Sequence, residues 1–350
     1  MSSTDNLSAV LYGVNDLRLE QRPVPRCGPH QLLIRVHTVG ICGSDVHYWT
    51  HGAIGAFVVK EPLVLGHESS GTVAEVGTNV TGFSVGDRVA LEVGVACGRC
   101  HHCKKGTYNL CPDMRFHATP PIDGSLARFV VHDASYCFKL PDHVSFEDGS
   151  LLEPLNVAVH SCKRGHVTIG QNILICGCGP IGLLNLLTAK AMGVSRVVMT
   201  DIDDNRLATA KHLGADIVVN VRGKTEQDLA KEIRTLLGGN GPEVSIECTG
   251  VASSIETAIW TTQSGGVIVL VGLGEARSTL PIIEAATREV DIRGVFRYAN
   301  CYPTALELIS SGRVNLNSLS RAHYTLEQTK EAFERSKKGD VIKVFIQCHK

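Results

Sequence analysis

The sequence has no excess of charge of either sign. Its 350 residues include 34 lysines and arginines against 35 aspartates and glutamates, which gives a formal net charge of −1. A chain so close to neutrality has no general electrostatic attraction to nucleic acid or to a membrane surface. It lacks a run of the roughly 18 apolar residues that a membrane span needs, and its first seven residues lack the basic and apolar blocks of a signal peptide. We therefore predict a cytoplasmic protein that binds neither nucleic acid nor membrane.

Cysteine, by contrast, is abundant. The chain contains 13 cysteines, and in a reducing compartment disulfides do not account for them. Metal ligation is the first explanation, and ordinary core packing is the second. We assign no role to the cysteines that lack ligand spacing, namely Cys27, Cys137, Cys162, Cys248, Cys301 and Cys348.

The pattern of apolar runs predicts two domains, as does the length of the chain. In the first 150 residues, short β-rich runs at 32–36, 71–76, 88–90 and 126–131 are separated by glycine and proline, which is typical of a β-rich, barrel-like domain. From about Gly170, strands alternate with helices, and this predicts parallel βαβ units. Towards the end we expect helices at 302–311 and 326–337 and a last strand at 341–347.

A glycine fingerprint opens the second of these regions. Residues 177–182 read Gly-Cys-Gly-Pro-Ile-Gly, the GxGxxG pattern, between a predicted strand at 172–176 and a predicted helix at 181–192. Gly177 permits the tight turn, Gly179 lets the backbone approach a pyrophosphate, and Gly182 lets the helix pack closely on the strand. In this context the fingerprint favours a dinucleotide site over a glycine cluster without a ligand.

The choice between NAD and NADP depends on Asp201, which ends the next predicted strand. A carboxylate there accepts hydrogen bonds from the adenosine ribose and repels a 2′-phosphate. Asp203 and Asp204 add negative charge nearby, so we predict NAD. Arg206 lies in the same segment and could reach a phosphate, but beside three acids we expect it to stack on adenine or to pair locally.

The clearest metal signal is a lobe of four cysteines, Cys97, Cys100, Cys103 and Cys111. Four thiolates from one short segment can close around Zn²⁺ tetrahedrally and leave no open position, so we predict a structural zinc site. Two disulfides, an iron–sulfur cluster or idle thiols are the alternatives.

Two other segments carry further potential ligands. One contains Cys42, Ser44, Asp45 and His47 within six residues, and the other is Gly66-His67-Glu68. Neither segment alone identifies a site, because a lone cysteine or histidine is more often packed in the core than bound to a metal.

A resemblance to a known family connects these segments. GHExxG at 66–71, GDRV at 86–89, the cysteine lobe and GxGxxG, in this order, resemble the medium-chain dehydrogenase/reductase superfamily. Within it, GICGSDVHYW at 40–49, LLEPL at 151–155, IECTG at 246–250 and ATREVDIRGVFRY at 286–298 resemble sorbitol (polyol) dehydrogenases over essentially the whole chain. The resemblance implies a GroES-like catalytic domain at 1–155 and 297–350, a doubly wound Rossmann NAD-binding domain at 156–296, and a homotetramer.

Carried over residue by residue, the resemblance makes Cys42, His67 and Glu68 ligands of a catalytic zinc, with water as the fourth. It implies two zinc ions per chain, one catalytic and one structural. Glu153 stands where related alcohol dehydrogenases have a cysteine ligand, and in the sorbitol branch it contacts the zinc-bound water or the substrate. This difference favours a polyol over a simple alcohol, with a ketose as the product.

The implied reaction starts with zinc, which lowers the pKa of a bound hydroxyl group, and ends with hydride transfer to nicotinamide. Ser44 and His47 match a proton relay of the alcohol dehydrogenases, although simple turn polarity, or a route through water and Glu153, is an alternative. Asp45 is expected to orient the His67 ring.

Further residues match family positions around the substrate and the nicotinamide. The implied substrate-binding residues are Tyr48, Phe116, Thr119, Glu153, Arg297 and Tyr298. The implied contacts of the nicotinamide are Ile181, Val271, Gly272, Leu273, Val295 and Phe296. On physical grounds Arg297 is the strongest of these, because a fixed array of donors suits a chain of hydroxyl groups; an ion pair with a neighbouring acid is its alternative.

Two departures from the family pattern bear on the function. Relatives often carry arginine or lysine at the position of Ala53, so the size and polarity preference of the pocket is open. The cysteine lobe is complete here, whereas some animal sorbitol dehydrogenases lack it. A xylitol, butanediol or threonine dehydrogenase of the same superfamily is the nearest rival interpretation, and a cofactor-binding protein without turnover is a more distant one.

Overall fold

The structure is a computed structural model and describes residues 5–349, which form a mixed α/β chain. The strands are β1 (Leu7–Gly13), β2 (Asp16–Gln21), β3 (Gln31–Gly40), β4 (Ala53–Ile54), β5 (Phe57–Val58), β6 (Leu63–Val64), β7 (Glu68–Val76), β8 (Arg88–Leu91), β9 (Gly94–Val95), β10 (Arg115–Phe116), β11 (Phe129–Asp133), β12 (Cys137–Lys139), β13 (Asn172–Cys176), β14 (Arg196–Asp201), β15 (Ile217–Asn220), β16 (Val244–Glu247), β17 (Val267–Leu270), β18 (Asp291–Gly294), β19 (Arg321–Thr325) and β20 (Lys343–Gln347).

The α-helices are α1 (Gly43–His51), α2 (His101–Lys104), α3 (Phe146–Gly165), α4 (Pro180–Ala191), α5 (Asp204–His212), α6 (Glu226–Leu236), α7 (Ala252–Thr261), α8 (Ile282–Ala286), α9 (Tyr302–Ser310) and α10 (Thr329–Lys338). Short 3₁₀ turns occur at Tyr108–Leu110, Ala134–Tyr136 and Leu326–Gln328. Within residues 5–349, none of the helices is both long enough and apolar enough to span a bilayer.

The chain divides into two compact units. Unit 1 extends to Glu153 and also contains Tyr302–Ser311 and the chain from Leu316 onward. Unit 2 comprises Pro154–Cys301 and Gly312–Asn315. The first boundary therefore falls inside α3, beside the proline at position 154.

Unit 1 is built on an antiparallel sheet with one parallel pair. Its strand order is β12-β8-β7-β3-β20-β19, with β11 also paired to β3, and β19 and β20 are the parallel pair. In the register of this sheet Gly40 lies opposite Glu68 on one side and Phe345 on the other. The end of β3 thus brings the start of β7 and the last strand, β20, together at Gly40, which is where the segments with potential metal ligands meet.

Unit 2 is a parallel sheet with the strand order β15-β14-β13-β16-β17-β18. The order reverses between β13 and β16, which is the switch point where open α/β sheets bind ligands. The strands are nearly continuous apolar runs because helices cover the sheet; the buried core includes Leu174, Val198, Ile233, Ala258 and Ile268.

The structure confirms the predicted fold class and most of the alternation after Gly170. The elements that the sequence analysis did not predict include β1, β2, α1, α3, α7, α8, β18 and β19. The strand expected at 126–131 was wrong at its start, because it begins at Phe129. Leu126 instead donates its backbone N–H to Leu65 O at 2.9 Å. The helix expected at 326–337 begins as a 3₁₀ turn, and the last strand begins at Lys343 rather than at residue 341.

Candidate metal centre and dinucleotide site

Asp45 connects the two segments that carry potential metal ligands. The backbone N–H of Cys42, the residue before α1, donates to Oδ2 of Asp45 at 3.1 Å. The other oxygen, Oδ1, accepts the backbone N–H of Gly66 at 2.9 Å and lies 3.4 Å from Nδ1 of His67. Asp45 is completely buried. One carboxylate therefore holds the start of α1, the turn at Gly66 and the His67 ring.

The potential ligand atoms of Cys42, His67 and Glu68 lie within 4.8 Å of one another. Because Nδ1 of His67 faces Asp45, Nε2 is the nitrogen left for a metal, and Oγ of Ser44 lies 3.4 Å from it. Thiolate, imidazole and carboxylate are all zinc ligands, and three of them leave a fourth position for water or substrate. The donor set therefore fits an open zinc site.

The electrostatics of this cluster favour a cation. Burial lowers the pKa of His67, but the charges of Asp45 and Cys42 outweigh it, and the pKa lies well above its ordinary value. Burial raises the pKa of Asp45, but His67 and the backbone N–H groups of Gly66 and Cys42 outweigh it and lower that pKa. The site thus concentrates negative charge in a buried volume, and a divalent cation would neutralise it.

Lys343 is a buried cation that the sequence analysis did not identify. Its Nζ forms an ion pair with Oε2 of Glu68, and the two side chains are only 4% and 1% exposed. Burial lowers the pKa of Lys343, but the negative charges of Glu68 and Cys42 outweigh it and raise that pKa. Gly40 provides the space, because a Cβ there would overlap the Glu68 carboxylate and lie 2.8 Å from Cε of Lys343. The signal available in the sequence was a lysine inside the apolar run Val341-Ile342-Lys343-Val344-Phe345.

The residues expected to carry the proton lie around this cluster in different environments. Ser44 is half-buried. His47 is exposed, and its ring stacks on His51 with centroids 4.3 Å apart. Glu153 is buried, with 6% exposure, and its charge is one of those that raise the pKa of Lys343.

The residues expected to bind substrate are divided between the two units. In unit 1, Tyr48 and Phe116 are buried, and the Phe116 ring lies 6.0 Å from the His67 ring. Thr119 is half-buried and its backbone N–H donates to Phe116 O at 3.1 Å, while Ala53 is half-buried in β4. The turn between Phe116 and Thr119 contains Ala118 at φ 52°, a conformation that non-glycine residues rarely adopt.

In unit 2, the expected substrate-binding segment is also strained. Arg297 has φ 54°, and its guanidinium lies 4.7 Å from the centre of the Phe296 ring. Its neighbour Tyr298 is buried. Strain of this kind in a bulky residue is often found at ligand sites, where the surrounding structure maintains it.

The four cysteines of the lobe also come together. Their sulfur atoms lie within 4.8 Å of one another, with Cys97 and Cys103 at 4.0 Å and Cys100 and Cys103 at 3.5 Å. Zinc with sulfur ligands at about 2.3 Å requires sulfur separations of about 3.8 Å in a tetrahedron. Within the described chain no disulfide links them. The distances therefore fit a closed four-cysteine zinc site.

The thiols of the lobe differ from one another in how easily they ionise. Backbone N–H groups of Arg99 and Cys100 lower the pKa of Cys97 to about 7. Desolvation and a hydrogen bond with Cys100 raise the pKa of Cys103 to about 12. Four adjacent thiols cannot all ionise near neutral pH without a compensating cation, which zinc would supply.

The glycine fingerprint lies between β13 and α4, as expected. Gly177 has φ 96°, and a Cβ at Gly182 would overlap the carbonyl of Gly177, so both positions require glycine. Gly179 is the residue before α4, where the free N–H groups of the helix begin. Asp201 ends β14, and its Oδ2 accepts the backbone N–H of Cys178 at 2.7 Å. Its carboxylate is thus held against the fingerprint.

Other residues expected to contact the cofactor lie at the carboxyl ends of the same sheet. Asp203 precedes α5 and accepts the backbone N–H groups of Asn205 and Arg206, and the Arg206 side chain is half-buried. Leu273 and Phe296 are large apolar residues with 74% and 40% exposure, so unit 2 leaves them available to an apolar ring. The remaining expected contacts, Ile181, Val271 and Val295, are half-buried, and Gly272 packs against Gly250.

Comparison with known proteins finds a matching family for each of two parts of the chain. Residues 28–142 match the Alcohol dehydrogenase GroES-like domain family, and residues 180–311 match the Zinc-binding dehydrogenase family. A sorbitol dehydrogenase of Bos taurus is 53% identical over 344 residues, covering 98% of this chain and 96% of that protein.

Solved structures agree with this placement. The L-idonate 5-dehydrogenase of Escherichia coli is 30% identical, with a TM-score of 0.91 and 98% of each chain covered. The 2R,3R-butanediol dehydrogenase of Bacillus subtilis is 31% identical, with a TM-score of 0.89 and coverage of 99% of this chain and 100% of that one. The chain belongs to the sorbitol dehydrogenase family of zinc-containing medium-chain dehydrogenases.

Proposed function

We propose that the chain interconverts a polyol, such as sorbitol or xylitol, and its ketose with NAD at a zinc site, an activity of the L-iditol 2-dehydrogenase type. The observation that carries this proposal is the cluster of Cys42, His67 and Glu68, whose ligand atoms lie within 4.8 Å of one another. A half-buried thiol with a buried imidazole and a buried carboxylate at this spacing, with one position left open, suits Lewis-acid catalysis on a hydroxyl group.

In this reaction zinc, when bound, lowers the pKa of the substrate hydroxyl so that it is deprotonated near neutral pH. The protein's own groups hold and orient the parts. Asp45 keeps Nε2 of His67 directed to the ligand cluster. Ser44, next to that nitrogen, relays the proton by accepting it while giving its own hydroxyl proton to the next group, or the buried Glu153 accepts the proton through water. His47, exposed on α1, passes the proton to solvent. Hydride transfer is the chemistry of the nicotinamide.

The preferred cofactor is NAD rather than NADP. Asp201 is held beside the fingerprint by the N–H groups of Cys178 and Asp203, and a carboxylate fixed there repels a 2′-phosphate. Asp204 is exposed in the first turn of α5 and adds to the negative charge.

Three further properties belong to the same proposal. Each chain binds two zinc ions, one in the open site and one in the cysteine lobe. The enzyme is cytoplasmic, in line with free thiols at all 13 cysteines, which lie within the described residues. It is a homotetramer by family resemblance, and the exposed Ile282 and Ile283 of α8 and the edge strand β18 are surfaces that subunit contacts would cover.

Polyol specificity is expected from the residues that match the family's substrate positions, which are Tyr48, Phe116 and Thr119 in unit 1 and Arg297 and Tyr298 in unit 2. The strained backbone of Arg297 supports its part in substrate binding. A butanediol dehydrogenase is the second candidate, since one of the solved structures similar to this chain has that activity in its name. Steady-state rates with sorbitol, xylitol, butanediol and threonine decide between them. A kcat/KM that is highest for butanediol or for threonine would overturn the polyol assignment.

The metal assignment has its own test, metal analysis before and after mild chelation. We expect two zinc ions per chain, of which the one in the open site is removed first together with activity. Full activity after loss of one zinc would show that the open site is not catalytic.

A further inference from the structure

Glu247 is a buried acid that has no role in the reaction proposed above. It ends β16, is completely buried, and lies opposite Cys176, the residue directly before the fingerprint. Within residues 5–349, no lysine, arginine or histidine forms an ion pair with it. A buried carboxylate costs free energy unless its lone pairs are satisfied, so its partners indicate what it maintains.

Those partners belong to the β16–α7 loop and to the first turn of α7. Oε1 of Glu247 accepts the backbone N–H of Thr249 at 2.7 Å, the hydroxyl of Ser254 at 2.9 Å and the hydroxyl of Thr249. Oε2 accepts the backbone N–H of Gly250 at 2.9 Å. The side chain therefore folds the start of the β16–α7 loop back over the end of its own strand.

The backbone of Glu247 holds a second loop. Its carbonyl oxygen accepts the N–H groups of Val271 and Gly272 at 2.9 and 3.0 Å. The two loops are in close contact, since a Cβ on Gly272 would overlap the backbone N–H of Gly250. On the other side, a Cβ on Gly177 of the fingerprint would lie 2.7 Å from Cγ2 of Thr249.

One residue therefore sets the relative position of three segments: the fingerprint turn, the loop at 249–250 and the loop at 271–274. The second and third lie on the β16 and β17 side of the switch point, away from Asp201 on β14. In a doubly wound sheet the two halves of a dinucleotide bind on opposite sides of that point.

We propose that Glu247 is a positioning residue for the nicotinamide half of the cofactor. The proposal rests on the proposed NAD-linked function. Glu247 does not touch the cofactor; its carboxylate keeps the loops at 249–250 and 271–274 in the arrangement that receives the nicotinamide riboside. Loss of one of its hydrogen bonds should therefore affect binding and reaction of the nicotinamide, and leave recognition of the adenosine half unchanged.

The test uses Glu247→Gln. Glutamine retains an oxygen for Thr249 and Ser254, but it sets an NH₂ group against the N–H of Gly250, so one hydrogen bond is replaced by two opposed donors. The matched control is Glu243→Gln at the opposite end of the same strand, where Oε2 of Glu243 accepts the N–H of Asn172 at 2.8 Å. Ser254→Ala is a milder variant that removes one donor from outside the strand, in case Glu247→Gln does not fold.

The measurements are dissociation constants for NADH and for ADP-ribose, which lacks the nicotinamide, together with kcat for polyol oxidation. For Glu247→Gln we expect NADH binding to weaken about tenfold and kcat to fall by a similar factor, since small misplacements at a reacting centre are costly. ADP-ribose affinity should change less than twofold, and Glu243→Gln should leave all three values unchanged. Ser254→Ala should also weaken NADH binding and lower kcat, but by a smaller factor.

Equal weakening of NADH and ADP-ribose would overturn the proposal, because Glu247 would then support the fold of unit 2 as a whole. Unchanged NADH affinity and kcat in Glu247→Gln would overturn it as well. If the proposed function is wrong, the unsubstituted protein will bind neither NADH nor ADP-ribose. That outcome is distinct from a failure of the proposal on Glu247.

Discussion

Replacing Lys343 by methionine removes the positive charge that faces Glu68 and keeps an unbranched side chain of similar size. Both partners are buried, at 4% and 1% exposure. Removing one member of such a pair leaves an uncompensated buried charge, which costs about 3–5 kcal/mol. For a domain of this size, each kcal/mol lowers Tm by about 2–4 °C, so we expect the zinc-free variant to melt roughly 6–20 °C below the zinc-free wild type.

Zinc should reverse part of this loss. In the wild type, Lys343 and the metal compete for the same carboxylate, whereas in Lys343→Met the carboxylate of Glu68 is available to the metal alone. Zinc that binds the folded variant more tightly than the folded wild type stabilises the variant further, by the difference between the two binding free energies. If zinc restores about 3 kcal/mol, its affinity for the open site rises about 100-fold.

The assay is thermal melting with and without zinc, and competition for zinc against a chromophoric chelator. Lys343→Arg should behave as the wild type in stability, because it retains the charge. Lys139→Met is the matched control, since Lys139 pairs with Asp87 at 2.7 Å in the same sheet but is 50% exposed; exposed pairs contribute about 0–1 kcal/mol. Equal losses of Tm in the zinc-free and zinc-loaded forms, or weaker zinc binding by Lys343→Met, would refute the reasoning.

Three other substitutions test separate parts of the molecule. Asp201→Ser should raise kcat/KM with NADP relative to NAD, since the fixed carboxylate is lost; an unchanged ratio in steady-state assays contradicts the role of Asp201. Cys42→Ala should abolish turnover and lower the zinc content from two ions to one while NADH binding persists; normal polyol oxidation by this variant would remove Cys42 from the site. Burial raises the pKa of Glu92 to about 7, so the folded chain holds that proton where the unfolded chain has lost it, and wild-type stability falls as pH rises from about 4.5 to 7. Glu92→Gln should therefore gain roughly 2–3 kcal/mol relative to the wild type between pH 5 and pH 8 in denaturant titrations, and a pH-independent difference would contradict this.

The parts of the fold that could be predicted are those with a strong local pattern. β13 occurs at the predicted residues, and α4 differs from its prediction by one residue at each end. Each is a buried apolar strand or a helix next to glycines that mark its limits. The α3 helix was missed because Gly149 and Pro154 both lower helix propensity in its first half.

Tertiary contacts explain why α3 contains a glycine at position 149. A Cβ at Gly149 would lie 2.6 Å from Cδ1 of Leu140 and 3.1 Å from Cβ of Ser70, so close packing requires glycine there despite its cost to the helix. Such a requirement comes from residues that are distant in sequence, and no local pattern in 146–165 expresses it.

The same reasoning explains which site residues the sequence could suggest. Ligands are recognisable because their chemistry is rare and their spacing is short, as in Cys97 to Cys111 or Gly66-His67-Glu68. Lys343 has neither property: it is one lysine in a strand, and its partner Glu68 is brought to it only by the pairing of β3 with both β7 and β20.

Asp45, Asp201 and Glu247 show what holds the two sites in shape. Each is a carboxylate that accepts backbone N–H groups from a segment bearing ligands or glycines: Cys42 and Gly66 for Asp45, Cys178 and Asp203 for Asp201, Thr249 and Gly250 for Glu247. Irregular loops need such acceptors because their N–H groups lack partners in helices or sheets. A carboxylate fixes two N–H groups at once and adds charge to each hydrogen bond, so the loop is rigid before a metal or a dinucleotide binds. Asp201 is also expected to bind the adenosine ribose, whereas Asp45 and Glu247 are expected to bind no ligand themselves. Substitution at Asp45 or Glu247 should therefore separate geometry from chemistry.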